Sequence, residues 1–156
     1  MNYKSEQIGY NTQSKRFQYK GVQFEVLENN FRTEGEQGFF CLYVIVADWQ
    51  FTNTSDLYSF RDNKPHYQKG DPDPFDPCGQ TQTFHQRLDG MTKYGCDYNH
   101  LWNQESGDYG SVSQLVHDAE ISIDGLHEKY GLRVMNQKDG SIVTLRELEM
   151  IKEPAE

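Results

Sequence analysis

The run GFFCLYVIVADWQF, from Gly38 to Phe51, limits the fold more than any other stretch of the chain. It is β-branched, aromatic and apolar at even and odd positions alike. A strand that is apolar on both sides belongs in the middle of a sheet with cover on each face. The run therefore predicts a central strand packed under a helix, with Cys41 a small buried hydrophobe and Trp49 in the core. The covering helix is legible from Ser111 to Tyr130. There Val112, Leu115, Val116, Ala119, Ile123, Leu126 and Tyr130 recur at spacings of three and four, which puts them on one face. Ser111 with Gln114 reads as a capping box and Gly131 as the stop, while Gly125 costs some stability or allows close packing.

Other elements follow by the same rules. Phe17-Gln-Tyr19 and Val22 to Leu27 alternate apolar and polar about Lys20-Gly21 and predict a hairpin. Gln80 to Leu88 and Thr92 to Cys96 predict a second hairpin through Asp89-Gly90. Leu132 to Met135 and Ser141 to Val143 flank Lys138-Asp-Gly140 and are expected to pair. Thr144-Leu-Arg-Glu147 is a capping box opening a short terminal helix. Residues 1–15 are polar and are expected to be frayed or loosely attached. Residues 52–81 carry little periodicity and three Asp-Pro steps, which predicts a long loop. Asp71, Asp73 and Asp76 lack the central glycine and closing glutamate of a calcium loop. The sum is a single α+β domain over residues 1–156. It has an antiparallel sheet of about five strands, one long helix across one face and a short C-terminal helix.

A chain of 156 residues is long enough to bury roughly 70% of its unfolded surface, and 10 Tyr, 9 Phe and 2 Trp supply the contact area. With 15 basic against 24 acidic side chains the formal charge is −9. Such a surface repels phosphate backbones and anionic lipids, so neither sequence-independent nucleic-acid binding nor membrane association is expected. It serves solubility and would also suit a basic protein partner. An odd count of three cysteines without a C-x-x-C pair, and an N-terminus with no apolar core of a signal peptide, lead to an expectation of a cytoplasmic protein.

The chemistry-bearing residues concentrate in FHQRLDGMTKYGCDYNHLWNQESGDYG, residues 84–110. Asp97 and His100 stand three apart after a strand end, and His85 on the neighbouring strand would face the same way across the Asp89-Gly90 turn. His85, Asp97 and His100 would suit a divalent metal such as Zn²⁺, Mn²⁺ or Mg²⁺, with Asp108 as a further ligand or catalytic base acting on bound water. The alternative is structural: His85 pointing out of a sheet, Asp97 in a turn, His100 on loop carbonyls, and Asp108 at a helix N-terminus. Cys96 beside Asp97 is either a nucleophile or an inert buried thiol. Trp102 and Tyr109 are the candidates for contact with a ligand or partner. His66, His117 and His127 are expected to face solvent.

The segments FFCLYVIV, TFHQRLDGM, YGCDYNH and GDYGSVSQLVHDAEISIDGLHEKY, in that order, resemble a family of small phage and prophage proteins. In that family a W-C-G-Y-V strand precedes H-G-G-L-T, G-F-D-C-A-H, G-D-Y and an amphipathic helix. Cys41, Tyr43 and Val44 match the strand, and His85 with Leu88 the second segment. Asp97 and His100 match the D-x-x-H, and Asp108-Tyr109 the G-D-Y. Gln86-Arg87 and Asp89 replace the family's glycines and threonine. The resemblance implies a phage-encoded accessory protein acting in the host cytoplasm. The first expectation is therefore binding and inhibition of a host factor, such as a defence component, through an acidic surface. A small metal-dependent hydrolase, or a protein binding a nucleotide or other small molecule, is the alternative. A structural protein of the virion or its assembly is the third.

Overall fold

The computed structural model describes residues 3–9, 12–29, 38–61, 84–98 and 101–152. The architecture is α+β. Strands β1 (Tyr3–Gly9), β2 (Thr12–Tyr19), β3 (Val22–Asn29), β4 (Phe39–Ala47), β5 (Phe84–Leu88) and β6 (Met91–Asp97) form one antiparallel sheet in the order β1-β2-β3-β4-β6-β5. Helix α1 (Thr54–Arg61) lies between β4 and β5, and α2 (Leu101–Ser106) and α3 (Val112–Tyr130) follow β6. A small hairpin of β7 (Arg133–Met135) and β8 (Ile142–Thr144) leads into the terminal helix α4 (Leu145–Lys152).

The apolar run is internal, as its composition demands, with β3 on one side and β6 on the other. Leu42, Val44 and Val46 are fully buried and meet Val22, Phe24 and Val26 from β3 and Leu115, Ala119, Ile123 and Leu126 from α3. The other face of β4 is covered less completely than its apolar character predicts, since Tyr43 and Ile45 are half-buried. Their neighbours in register are polar. Glu25 sits beside Tyr43 and is held by Arg16 at 3.4 Å and Lys93 at 3.3 Å, with the Lys93 ammonium 4.7 Å above the Tyr43 ring. Phe84 meets Tyr43 edge-on across Gly95. A Cβ at Gly95 would stand 1.8 Å from the Leu42 carbonyl oxygen, so this strand crossing requires glycine.

Two tyrosines tie the sheet to the helix. Tyr94 shares a 2.7 Å hydrogen bond with Ser122, and Tyr98 donates to Asp118 at 2.5 Å, all four residues being buried. Helix α3 starts at Ser111, whose hydroxyl accepts the Gln114 N–H, and stops at Gly131 in the left-handed region at φ 59°. The Gln114 side chain is turned to the Asp108 carboxylate at 3.1 Å, a stronger acceptor than a neutral group offers. The box on α4 is complete, with Thr144 and Glu147 each accepting the other's backbone N–H.

Three expectations change. Tyr3–Gly9 pairs with β2 as an edge strand where loose attachment is expected, and it completes the six strands of a sheet expected to have about five. Its composition, YKSEQIG, has too few apolar residues to announce a strand. Residues 54–61, read as the start of the long loop, form α1. Asn53 caps it, accepting the Asp56 N–H and donating to its carboxylate, and Phe60 anchors it against Phe51, Tyr94 and Tyr130. One anchor makes no periodicity. The apolar run ends as a strand at Ala47, where the Gln50 side chain accepts the Ala47 N–H, so Trp49 falls in a 3-10 turn and is 42% exposed. The three Asp-Pro steps, His66 and Cys78 lie outside the described residues.

Candidate functional site

Of the residues read as a metal set, His85 and Asp97 lie on opposite faces of the sheet. His85 is in register with Tyr94, which places both on the side of the sheet that carries α3. Asp97 is three positions beyond Tyr94 and in register with Cys41, so alternation puts it on the opposite face. An odd offset between the two positions decides this, and spacing in the sequence does not reveal it. The His85 ring packs edge-on against Phe60, and its Nε2 donates to the Arg61 carbonyl at 3.2 Å, fastening α1 to the sheet. Burial lowers its pKa below the usual imidazole value, against the opposing effect of that hydrogen bond.

Asp108 is exposed and works locally. Its carboxylate accepts from the Gly110 backbone and the Gln114 side chain, and its own N–H donates to Asn103 at 3.1 Å. It joins α2 to the start of α3. Tyr109 is half-buried, and its carbonyl accepts the Phe40 N–H at 3.1 Å. Trp102 belongs to α2, with a side chain outside the described set, and His100 is also outside it. Among the described residues no group of three His, Cys, Asp or Glu stands close enough to hold a metal. Cys96 is fully buried on the core side. Burial pushes the Cys41 thiol up to about 12, the range of an inert thiol.

A different site emerges at the far end of the sheet, around the β2–β3 turn. Lys20 and Gly21 both have positive φ, 46° and 77°, as the two central residues of a type I′ hairpin turn do. Glycine is required at the second position, since a Cβ there would meet Val134 at 2.4 Å. The turn is tied down from three sides. The Gln50 side chain donates to the Gly21 and Arg133 carbonyls at 3.1 and 3.2 Å, joining turn and β7. Lys20 pairs with Asp124 of α3 at 2.8 Å. His127, expected to face solvent, donates from Nε2 to the Lys20 carbonyl at 2.8 Å and is half-buried.

Between this turn, β7 and α4 lies a groove of about 680 Å³. Tyr19 and Lys20 form one wall, Val134 and Met135 the base, and Leu145, Leu148 and Glu149 the opposite wall. Leu145 and Leu148, three apart on α4, are half-buried and turned to it. Met135 and Ile142, partners across the β7–β8 hairpin, are 47% and 44% exposed, and Met150 on α4 is 67% exposed. The outer face of α3 runs towards the same end with Glu120, Asp124 and Glu128 at intervals of four and Ile121 exposed among them. The signal for this surface was present in the sequence as Leu145 and Leu148, three apart on a capped helix. Its other wall comes from residues more than a hundred positions away.

Among the described residues no helix is long and apolar enough to cross a membrane. No protein-family model, no curated protein and no solved structure matches the chain.

Proposed function

We propose that this chain is a phage-encoded accessory protein that binds and inhibits a host protein, and that the groove beside α4 receives a basic segment carrying apolar side chains. The observation that carries the binding reading is the grouping of half-buried Leu145 and Leu148 with exposed Met135 around one groove, with Ile142 exposed as the partner of Met135 across the hairpin. Apolar side chains collected at a concave surface are what a partner's anchors fill, each fully buried anchor contributing roughly 1.5–3 kcal/mol. Charge supports a basic partner. The Lys20 ammonium at the groove is already paired with Asp124, while Glu149 on the facing wall and the carboxylates along α3 project outward on a molecule of charge −9. The phage origin and the inhibitory role rest on the resemblance of the four segments.

A photo-crosslinking residue placed at Met135 or Gln137, with Gln86 on the edge strand as control, tests the reading in host extract. The groove positions are expected to capture one protein that the control does not. The purified partner should then bind with at least tenfold lower affinity to Leu148→Glu and with an affinity that falls as salt rises. Equal affinity for Leu148→Glu and the parent chain would overturn it.

A further inference from the structure

The wall of the groove formed by Lys20 and Gly21 is held to α3 by a histidine that has room for only one proton. The bond from His127 Nε2 to the Lys20 carbonyl, 2.8 Å, needs the proton on Nε2, because a carbonyl oxygen only accepts. The lone pair is then on Nδ1, which is buried with no hydrogen-bond partner among the described residues. A second proton would have to enter at that atom, creating a cationic N–H that is shut off from solvent and faces no acceptor among the described residues. The other polar contacts to α3 at this end, from the Lys20 ammonium and the Tyr19 hydroxyl to Asp124, are exposed and weak on their own. The turn itself places Lys20, a residue with a Cβ, in the left-handed region, a conformation that needs support from outside.

We propose that His127 is an acid-released latch: a second proton taken up at Nδ1 detaches the Lys20-Gly21 turn from α3 and moves one wall of the groove. Three charged groups face the ring: Lys20 from the turn, Asp124 from its own helix and Glu149 from α4. Burial is the main reason the ring stays neutral, with the Lys20 ammonium acting in the same direction. The bond to the Lys20 carbonyl and the two carboxylates act the other way. Once the ring swings out, the carboxylates of Asp124 and Glu149 attract the new cation and hold the open form. The functional consequence rests on the groove being the binding surface, whereas the latch itself is a property of the free chain.

The test therefore uses the full chain without a partner. Hydrogen exchange of the backbone amides of residues 20–22, corrected for its intrinsic pH dependence, is followed from pH 7.5 to 4.5 together with the NMR signals of the His127 ring. Exchange at the turn is expected to rise at least tenfold over the pH range in which His127 titrates, while the amides of β4 stay protected. His127→Gln, which keeps a donor for the Lys20 carbonyl and cannot titrate, is expected to flatten that dependence. The same rise in His127→Gln, or loss of protection in β4 together with the turn, would overturn the latch and leave the binding reading untouched. Conversely, an unaltered partner affinity in Leu148→Glu would remove the binding reading and leave the latch standing.

Discussion

Asp118 shows how a single residue can oppose stability at neutral pH and still belong to the core. It is the only carboxylic acid among the buried residues of α3, and it accepts a hydrogen bond from the Tyr98 hydroxyl at 2.5 Å. Burial holds its carboxyl above the ordinary carboxylate value of 3.8, with the Tyr98 hydrogen bond and nearby His117 opposing and Asp108 reinforcing. A folded-state pKa above the unfolded one means that the group's contribution is complete below about pH 3.8 and is lost as pH rises through the folded value. Asn in its place still accepts from Tyr98 and does not ionise. The unfolding free energy of Asp118→Asn, relative to the parent chain, should therefore shift in the variant's favour between pH 3 and pH 7. A pH-independent difference in urea denaturation would show that the carboxyl titrates over the same range in the folded and unfolded chain, against the effect of its burial.

Among the elements, α1 and α4 are both eight residues long and are held by opposite means. Helix α1 depends on Phe60, fully buried among Phe51, Tyr94 and Tyr130 and in contact with His85. Phe60→Ala should cost about 3–5 kcal/mol of global stability, because the core cannot close over a space that size. Helix α4 contributes no fully buried residue among its described side chains and is begun by the reciprocal Thr144–Glu147 box. Thr144→Ala should cost only about 1 kcal/mol, and the loss should appear as fraying of α4 rather than a lower global midpoint. Equilibrium unfolding together with hydrogen exchange of α4 separates the two effects. Equal global losses in the two variants would mean that α4 is part of the cooperative core.

At the scale of the whole molecule, two half-buried imidazoles set the acid limb of stability. His85 and His127 both have pKa values lowered first by burial from the ordinary 6.5, and each donates to a backbone carbonyl on another element. A lowered folded-state value means that the stabilisation is present above about pH 6.5 and is lost as pH falls through the folded values. Asp48, held down by its bidentate pair with Arg87, extends the decline below about pH 3.8, though the pair is exposed enough for salt to weaken it. The thermal midpoint is expected to be flat from pH 8 to 7 and to fall below about 6.5. In His127→Gln the fall should be shallower. A midpoint that rises towards pH 5 would contradict the neutral, buried state of both rings.

Much of this architecture was written in local chemistry. The run from Gly38 named its own place as an internal strand, and the spacing of Leu115, Ala119, Ile123 and Leu126 named the face that covers it. Lys20-Gly21 and Asp89-Gly90 marked their turns, and Thr144 with Glu147 marked the start of the last helix. These features depend on residues within a few positions of each other, so periodicity and capping express them directly. Strand β1 and helix α1 were hidden because polar residues pair by backbone and a single Phe60 suffices as anchor. The candidate site was the least legible part. Whether His85 and Asp97 meet depends on the pairing of β5 with β6, where an odd offset sends them to opposite faces. The groove exists because Lys20 and His127, 107 positions apart, meet across a hydrogen bond and bring the turn beside β7 and α4. Contacts of that range are settled by packing of the whole chain, and no local pattern encodes them.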